Sequence, residues 1–146
     1  MRCCSLFLLH KYLLKKYPKL TILGHSQCFW NEIGADITEE NRGGYLTGPV
    51  QEGTVVRLMR ECPNLYCDLS ATSGYNAISR DPEFGYRFIE EFSDRLMYGT
   101  DICRPGQKTH LADWLDESLA AGCITPENYR KICRGNAIKL FNLDLV

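Results

Sequence analysis

Three short apolar runs divide this chain, and each stops at a polar residue beside glycine or serine. The first, 20–23, ends at Gly24-His25; the second, 65–69, carries Asp68 and ends at Ser70; the third, 95–98, ends at Gly99-Thr100-Asp101. Apolar runs of this length bounded by breakers read as buried strands. The stretches between them carry apolar residues at helical spacing. Strands that alternate with helices pair in parallel through right-handed crossovers, so an α/β fold with three sequential parallel strands is expected.

The helical stretches have their own punctuation. Residues 6–17 place Leu6, Leu9, Leu13 and Leu14 on one face, with Lys11, Lys15 and Lys16 between them and Pro18 as the stop. Residues 26–48 hold four glycines and read as a long loop, although Phe29 and Trp30 are odd in a linker. A helix is expected from Pro49, suited to a first turn, to Glu61. Cys62-Pro63-Asn64 breaks it. Around Gly74 and Asn76 a loop is expected. Asp81-Pro82-Glu83 is an N-cap signature for a helix to Phe92. Residues 110–121 are amphipathic. Thr125-Pro126-Glu127 opens a helix to Arg134, Gly135 stops it, and Asn136 caps a last turn through Phe141.

Bulk properties exclude several functions. A length of 146 residues suits one domain. Seventeen basic and 18 acidic residues leave a net charge of −1, with no electrostatic footprint for nucleic acid and no polybasic patch for a membrane surface. The apolar run 5–9 is too short to span a bilayer. Eight cysteines contain no C-x-x-C pair, so neither a zinc ribbon nor a thioredoxin motif is present. A cytoplasmic protein with reduced thiols is expected, most of them small buried hydrophobes.

In parallel α/β proteins the site lies at the carboxyl ends of the strands, which is where His25 and Asp101 fall. Either residue alone has a plain structural reading, a hydrogen-bonded core histidine or a turn-capping aspartate. Asp68, Ser70 and Tyr75 could line a pocket, and Asp68 could equally bond a neighbouring amide. Arg104 could pair a substrate carboxylate bidentately or form a surface salt bridge. Trp30 could cover the mouth of a site or simply pack its loop. Cys28 and Cys103, close after His25 and Asp101, could add soft metal ligands but read more simply as packing or loop residues.

Four segments carry a resemblance: Tyr17-Pro18-Lys19-Leu20-Thr21-Ile22-Leu23-Gly24-His25, Cys62-Pro63-Asn64-Leu65-Tyr66-Cys67-Asp68-Leu69-Ser70, Asp94-Arg95-Leu96-Met97-Tyr98-Gly99-Thr100-Asp101 and Gly135-Asn136-Ala137-Ile138-Lys139-Leu140-Phe141. In that order they resemble the C-terminal part of the amidohydrolase-related family of metal-dependent (β/α)8 barrels, which includes hydrolases and non-oxidative decarboxylases. The resemblance implies a partial TIM barrel made of strands six to eight with C-terminal helices, residues 1–146 forming the C-terminal fragment of the barrel domain. It makes His25 and Asp101 both metal ligands and catalytic groups, with Asp68, Ser70 and Arg104 remaining the candidates for binding the substrate. The implied cofactor is a divalent metal, zinc first and manganese second. The implied reaction is attack of activated water on a C–O or C–N bond of a small carboxylated or cyclic substrate.

One departure from the family pattern matters. The H-x-H pair of the first strand has no counterpart; the other histidines are His10 and His110, away from the strand ends. A barrel needs about 250 residues. The chain is therefore expected to be inactive and a weak metal binder alone, and either to self-associate or to need a complementary N-terminal half. The alternatives are a decarboxylase of the same family, and a non-catalytic remnant or half of a split barrel.

Overall fold

The computed structural model describes residues 11–145. Leu6, Leu9 and His10 of the first expected helix lie outside that range, as do Cys3 and Cys4. Residues 11–16 are helical (α1), and the chain turns at Pro18. Then follow β1 (Ile22–Gly24), α2 (Gln27–Trp30), a 3-10 turn (Asn31–Ile33), α3 (Thr54–Glu61), β2 (Leu65–Asp68), α4 (Ala71–Ser79) and α5 (Pro82–Phe92). After a second 3-10 turn (Ser93–Arg95) come β3 (Leu96–Met97), α6 (Leu111–Ala120), α7 (Pro126–Arg130), a π-helical turn (Lys131–Gly135) and α8 (Asn136–Phe141). The strands form one parallel sheet in the order β1-β2-β3, with Ile22 opposite Leu65 and Cys67 opposite Leu96.

Burial alternates along β2. Leu65, Cys67 and Leu69 are buried and join Val55, Met59, Ile78, Phe88, Ile89 and Leu96 in a single core. Trp30, Phe84, Phe88 and Phe92 form a run of ring contacts through it, centroids 4.9–6.3 Å apart. At the amino ends of the strands, side chains close backbone groups. Asn64 Nδ2 donates to Leu14 O and Leu20 O at 3.1 and 2.7 Å, and Arg95 donates to Cys62 O at 3.0 Å. Asn136 Nδ2 donates to Ser93 O and Leu96 O at 2.6 and 2.7 Å. The expected caps form: Asp81 accepts from Phe84 N–H, and Thr125 from Asn128 N–H.

Five local expectations are corrected. The 26–48 segment is not all loop, because Phe29, Trp30 and Ile33 are buried and wind α2 and its 3-10 turn onto the core. The helix after it starts at Thr54 rather than Pro49. Residues 50–53 are drawn out instead: Gln51 O accepts from Ala35 N, Gly53 N donates to Ile33 O, and Glu52 bridges Gly34 antiparallel. Residues 71–79 form α4 rather than a loop. Gly74 is what allows it, since a Cβ there would collide with the Leu69 backbone. Gly135 does not stop a helix; the chain passes through a π turn into α8, and Asn136 is a buried staple rather than a cap. Finally, among the described cysteines only Cys62 and Cys67 are buried, while Cys28, Cys103 and Cys123 are exposed.

Candidate functional site

The three strands deliver three titratable side chains to one end of the sheet. His25 follows β1, Asp68 closes β2, and Asp101 lies four residues beyond β3. The imidazole stands between the two carboxylates. Its Nδ1 is 3.4 Å from Asp68 Oδ2, and its Nε2 is 4.0 Å from Asp101 Oδ2. Ser70 Oγ also meets Nδ1, at 3.3 Å. The side chains of His25, Asp68 and Asp101 are 39%, 25% and 51% exposed, so the group opens to solvent on the Asp101 side.

Asp68 is fixed from several directions. Its Oδ1 accepts the Ser70 N–H at 2.7 Å, and its main-chain carbonyl accepts the Trp30 indole N–H at 2.9 Å. Trp30 is 1% exposed and sits in the core beneath the site, not over its mouth. Asp101 sits on an open loop. Gln107 bridges that loop, donating from Nε2 to Asp101 O at 3.0 Å and accepting from Cys103 N–H through Oε1 at 3.2 Å.

The backbone is unusual where the strands end. Ser26, Ala71 and Asp101 have φ of 83°, 61° and 52°. Left-handed conformations in non-glycine residues cost about 1–2 kcal/mol each and collect at functional sites. One such residue follows each strand.

The other expected site residues separate into two sets. Ser70 is buried, with its hydroxyl turned to the His25 ring. Arg104 is exposed on the loop after Asp101 and forms no hydrogen bond or ion pair with His25, Asp68 or Asp101. Tyr75 leans on His110 instead, ring centroids 5.8 Å apart. Cys103 bonds Gln107 rather than joining a ligand group. Gln107 was missed in the sequence, where nothing marks a glutamine that ties one loop.

A divalent metal suits the kind of donor here but not their number. Among the described residues, no group of three or more His, Cys, Asp or Glu side chains is arranged to hold an ion. Imidazole and carboxylate are both proper zinc ligands, yet a catalytic zinc site takes three from the protein. Two ligands on a tetrahedral zinc also lie only about 3.4 Å apart, against the 4.0 Å between Nε2 and Oδ2. These residues alone do not fit a complete metal site.

A family model described as amidohydrolase matches residues 12–143. No curated protein and no solved structure matches the chain. No described helix is long and apolar enough to cross a membrane.

Proposed function

The chain belongs to the amidohydrolase family, and from that premise we propose that it supplies the sixth, seventh and eighth β/α units of a (β/α)8 barrel hydrolase. The family implies a TIM barrel, and the three-stranded parallel α/β sheet is consistent with part of one. The observation that carries the proposal is the meeting of His25, Asp68 and Asp101 at the carboxyl ends of three successive strands. Barrel enzymes place their chemistry on that face.

Asp101 is the more exposed carboxylate and takes the proton of the attacking water. His25 presents Nε2 beside it, to a metal or to a polar hydrogen of the substrate. Arg104, free on the neighbouring loop, meets a substrate carboxylate. The substrate is a small carboxylated or cyclic molecule with a C–O or C–N bond to break. The family generally uses divalent metals; zinc or manganese at this site would need ligands beyond the described residues.

A second reading, a non-catalytic chain or one half of a split barrel, is favoured by the same shortage of ligands. One experiment separates the two. Hydrolysis of lactones, cyclic amides and N-acyl amino acids is followed with Zn²⁺ or Mn²⁺, for this chain alone and combined with a barrel half that carries an H-x-H strand. The expected result is no turnover alone and turnover in combination that Asp101→Asn and His25→Asn both remove. Turnover indifferent to both substitutions refutes the site. Silence in every combination favours the non-catalytic reading.

A further inference from the structure

A small recess of about 20 Å³ lies between the start of α4 and the segment that leads into α6. One wall, Thr72 and Tyr75, follows closely on Ser70, whose hydroxyl meets the His25 ring. The other runs from Gln107, which holds the Asp101 carbonyl, through Lys108 and Thr109 to His110. Both walls are thus tied to the end of the sheet where His25 and Asp101 meet. The lining contains an ammonium, an imidazole, two threonine hydroxyls and a phenol, and no carboxylate. Among the described residues Lys108 forms no ion pair, and the hydroxyls of Thr72 and Thr109 form no hydrogen bond. The Tyr75 ring braces that of His110, centroids 5.8 Å apart. A cavity needs about 10–15 Å³ to hold one water, so there is room for about one oxygen atom. One oxygen of a planar carboxylate fits; the several terminal oxygens of a phosphate do not.

We propose that this recess seats one oxygen of a substrate carboxylate. Lys108 supplies the charge, as a compact cation with three donors, and Thr72, Thr109 and His110 supply further hydrogen-bond donors. Bonds of this kind to an ionised acceptor are about twice as strong as neutral ones, so the recess selects carboxylated molecules over uncharged ones of the same shape. It takes over from Arg104 as the anchor, since no hydrogen bond among the described residues holds the Arg104 guanidinium. That the carboxylate belongs to a substrate, with its scissile bond directed toward His25 and Asp101, rests on the proposed function. The affinity of the recess for a carboxylate does not.

The test reads binding rather than turnover. ¹H–¹⁵N spectra of the ¹⁵N-labelled chain are titrated with benzoate, with benzamide as its uncharged counterpart and inorganic phosphate as a second anion. Benzoate is expected to saturate in the millimolar range, with shifts centred on Thr72, Lys108, Thr109 and His110. Benzamide and phosphate should each bind at least about tenfold more weakly. Lys108→Met should weaken benzoate by about tenfold or more, the scale of one hydrogen bond to a charged group. Arg104→Met should change it by less than about twofold, as for an exposed charge with no fixed partner. The absence of saturable benzoate binding overturns the inference. So does benzamide or phosphate binding as tightly as benzoate, and so does a loss in Arg104→Met that Lys108→Met does not share. The benzamide and phosphate titrations use the unaltered chain and decide even where a variant does not fold. Benzoate held by Lys108 in a chain that hydrolyses nothing in any combination would count against the proposed function alone. Hydrolysis that depends on Asp101, with benzoate indifferent to Lys108→Met, would count against this inference alone.

Discussion

Asn136 provides the sharpest test of how the sheet is held. Its buried amide gives both hydrogens to backbone carbonyls, Ser93 O at 2.6 Å and Leu96 O at 2.7 Å. The two bonds fasten the start of α8 to the amino end of β3. Asn136→Ala strands both acceptors. Each buried carbonyl left unpaired costs about 1–3 kcal/mol, so a loss of about 2–4 kcal/mol is expected after some relaxation. With a urea slope near about 2 kcal/mol/M, the unfolding midpoint should fall by about 1–2 M. Asn136→Asp keeps the shape but turns two donors into acceptors facing carbonyls. The carboxyl then folds best protonated, and its folded pKa rises above the unfolded value of about 3.9. Its relative stability is therefore greatest below that unfolded value and falls as pH rises toward the folded pKa. Urea unfolding of both variants at pH values below and above that window measures this. Equal losses with no added pH dependence for Asn136→Asp would refute the donor argument.

Three other expectations follow from the packing. At Gly85 a Cβ would run into the Ile78 carbonyl where α5 crosses α4. Gly85→Ala should thus lose about 1–2 kcal/mol, overpacking outweighing helix propensity, while Gly135→Ala, whose nearest neighbour is Arg130 O at 3.5 Å, should gain up to about 1 kcal/mol. Thermal melts that move both variants the same way would contradict the geometry. The Asp81 carboxylate is held below its ordinary pKa first by the Val50 N–H and also by the Phe84 N–H. Its contribution is present above the unfolded pKa and is lost as pH falls through the lowered one; Asp81→Ala should cost about 0.5–2 kcal/mol at neutral pH and flatten the acid limb of the stability curve. The outer edges of β1 and β3 pair with no strand among the described residues, and Leu20 and Leu23 are exposed at the first. Open edges beside apolar surface promote association, so sedimentation at micromolar concentration should show concentration-dependent oligomers; a monomer across the whole range would contradict this.

The parts of the fold that were legible in the sequence are those where the pattern is long or punctuated. The three strands, their order and the Asp81 and Thr125 caps follow from apolar runs and cap residues. What escaped was written in small residues. The buried face of α4 is Ser73, Gly74, Ala77 and Ile78, which is helical spacing without a hydrophobic stripe. Tertiary approach to Leu69 demands the glycine that local propensity counts against. Helix α2 spans four residues, too few for periodicity to register, and only Phe29 and Trp30 hinted at it. At the site, the positions of His25 and Asp101 were legible because strand ends are legible. Their spacing from Asp68 was not, since it depends on parallel register and on left-handed residues that no sequence pattern announced.

The two ends of the sheet differ in physical character, and the difference bears on function. At the amino ends, Asn64, Arg95 and Asn136 close carbonyls with side-chain donors. At the carboxyl ends, Ser26, Ala71 and Asp101 hold left-handed backbone. Asp tolerates that region through its short polar side chain, but Ala71 has no such relief. Strain persists only where surrounding structure imposes it. The Ser70 N–H on Asp68 and the Gln107 amide on the Asp101 carbonyl are the local restraints that impose it here. Each fixes a backbone turn that aims a titratable side chain at the same point. That the strain coincides with the meeting of His25, Asp68 and Asp101 is why the carboxyl end reads as a site rather than as three loops that happen to meet.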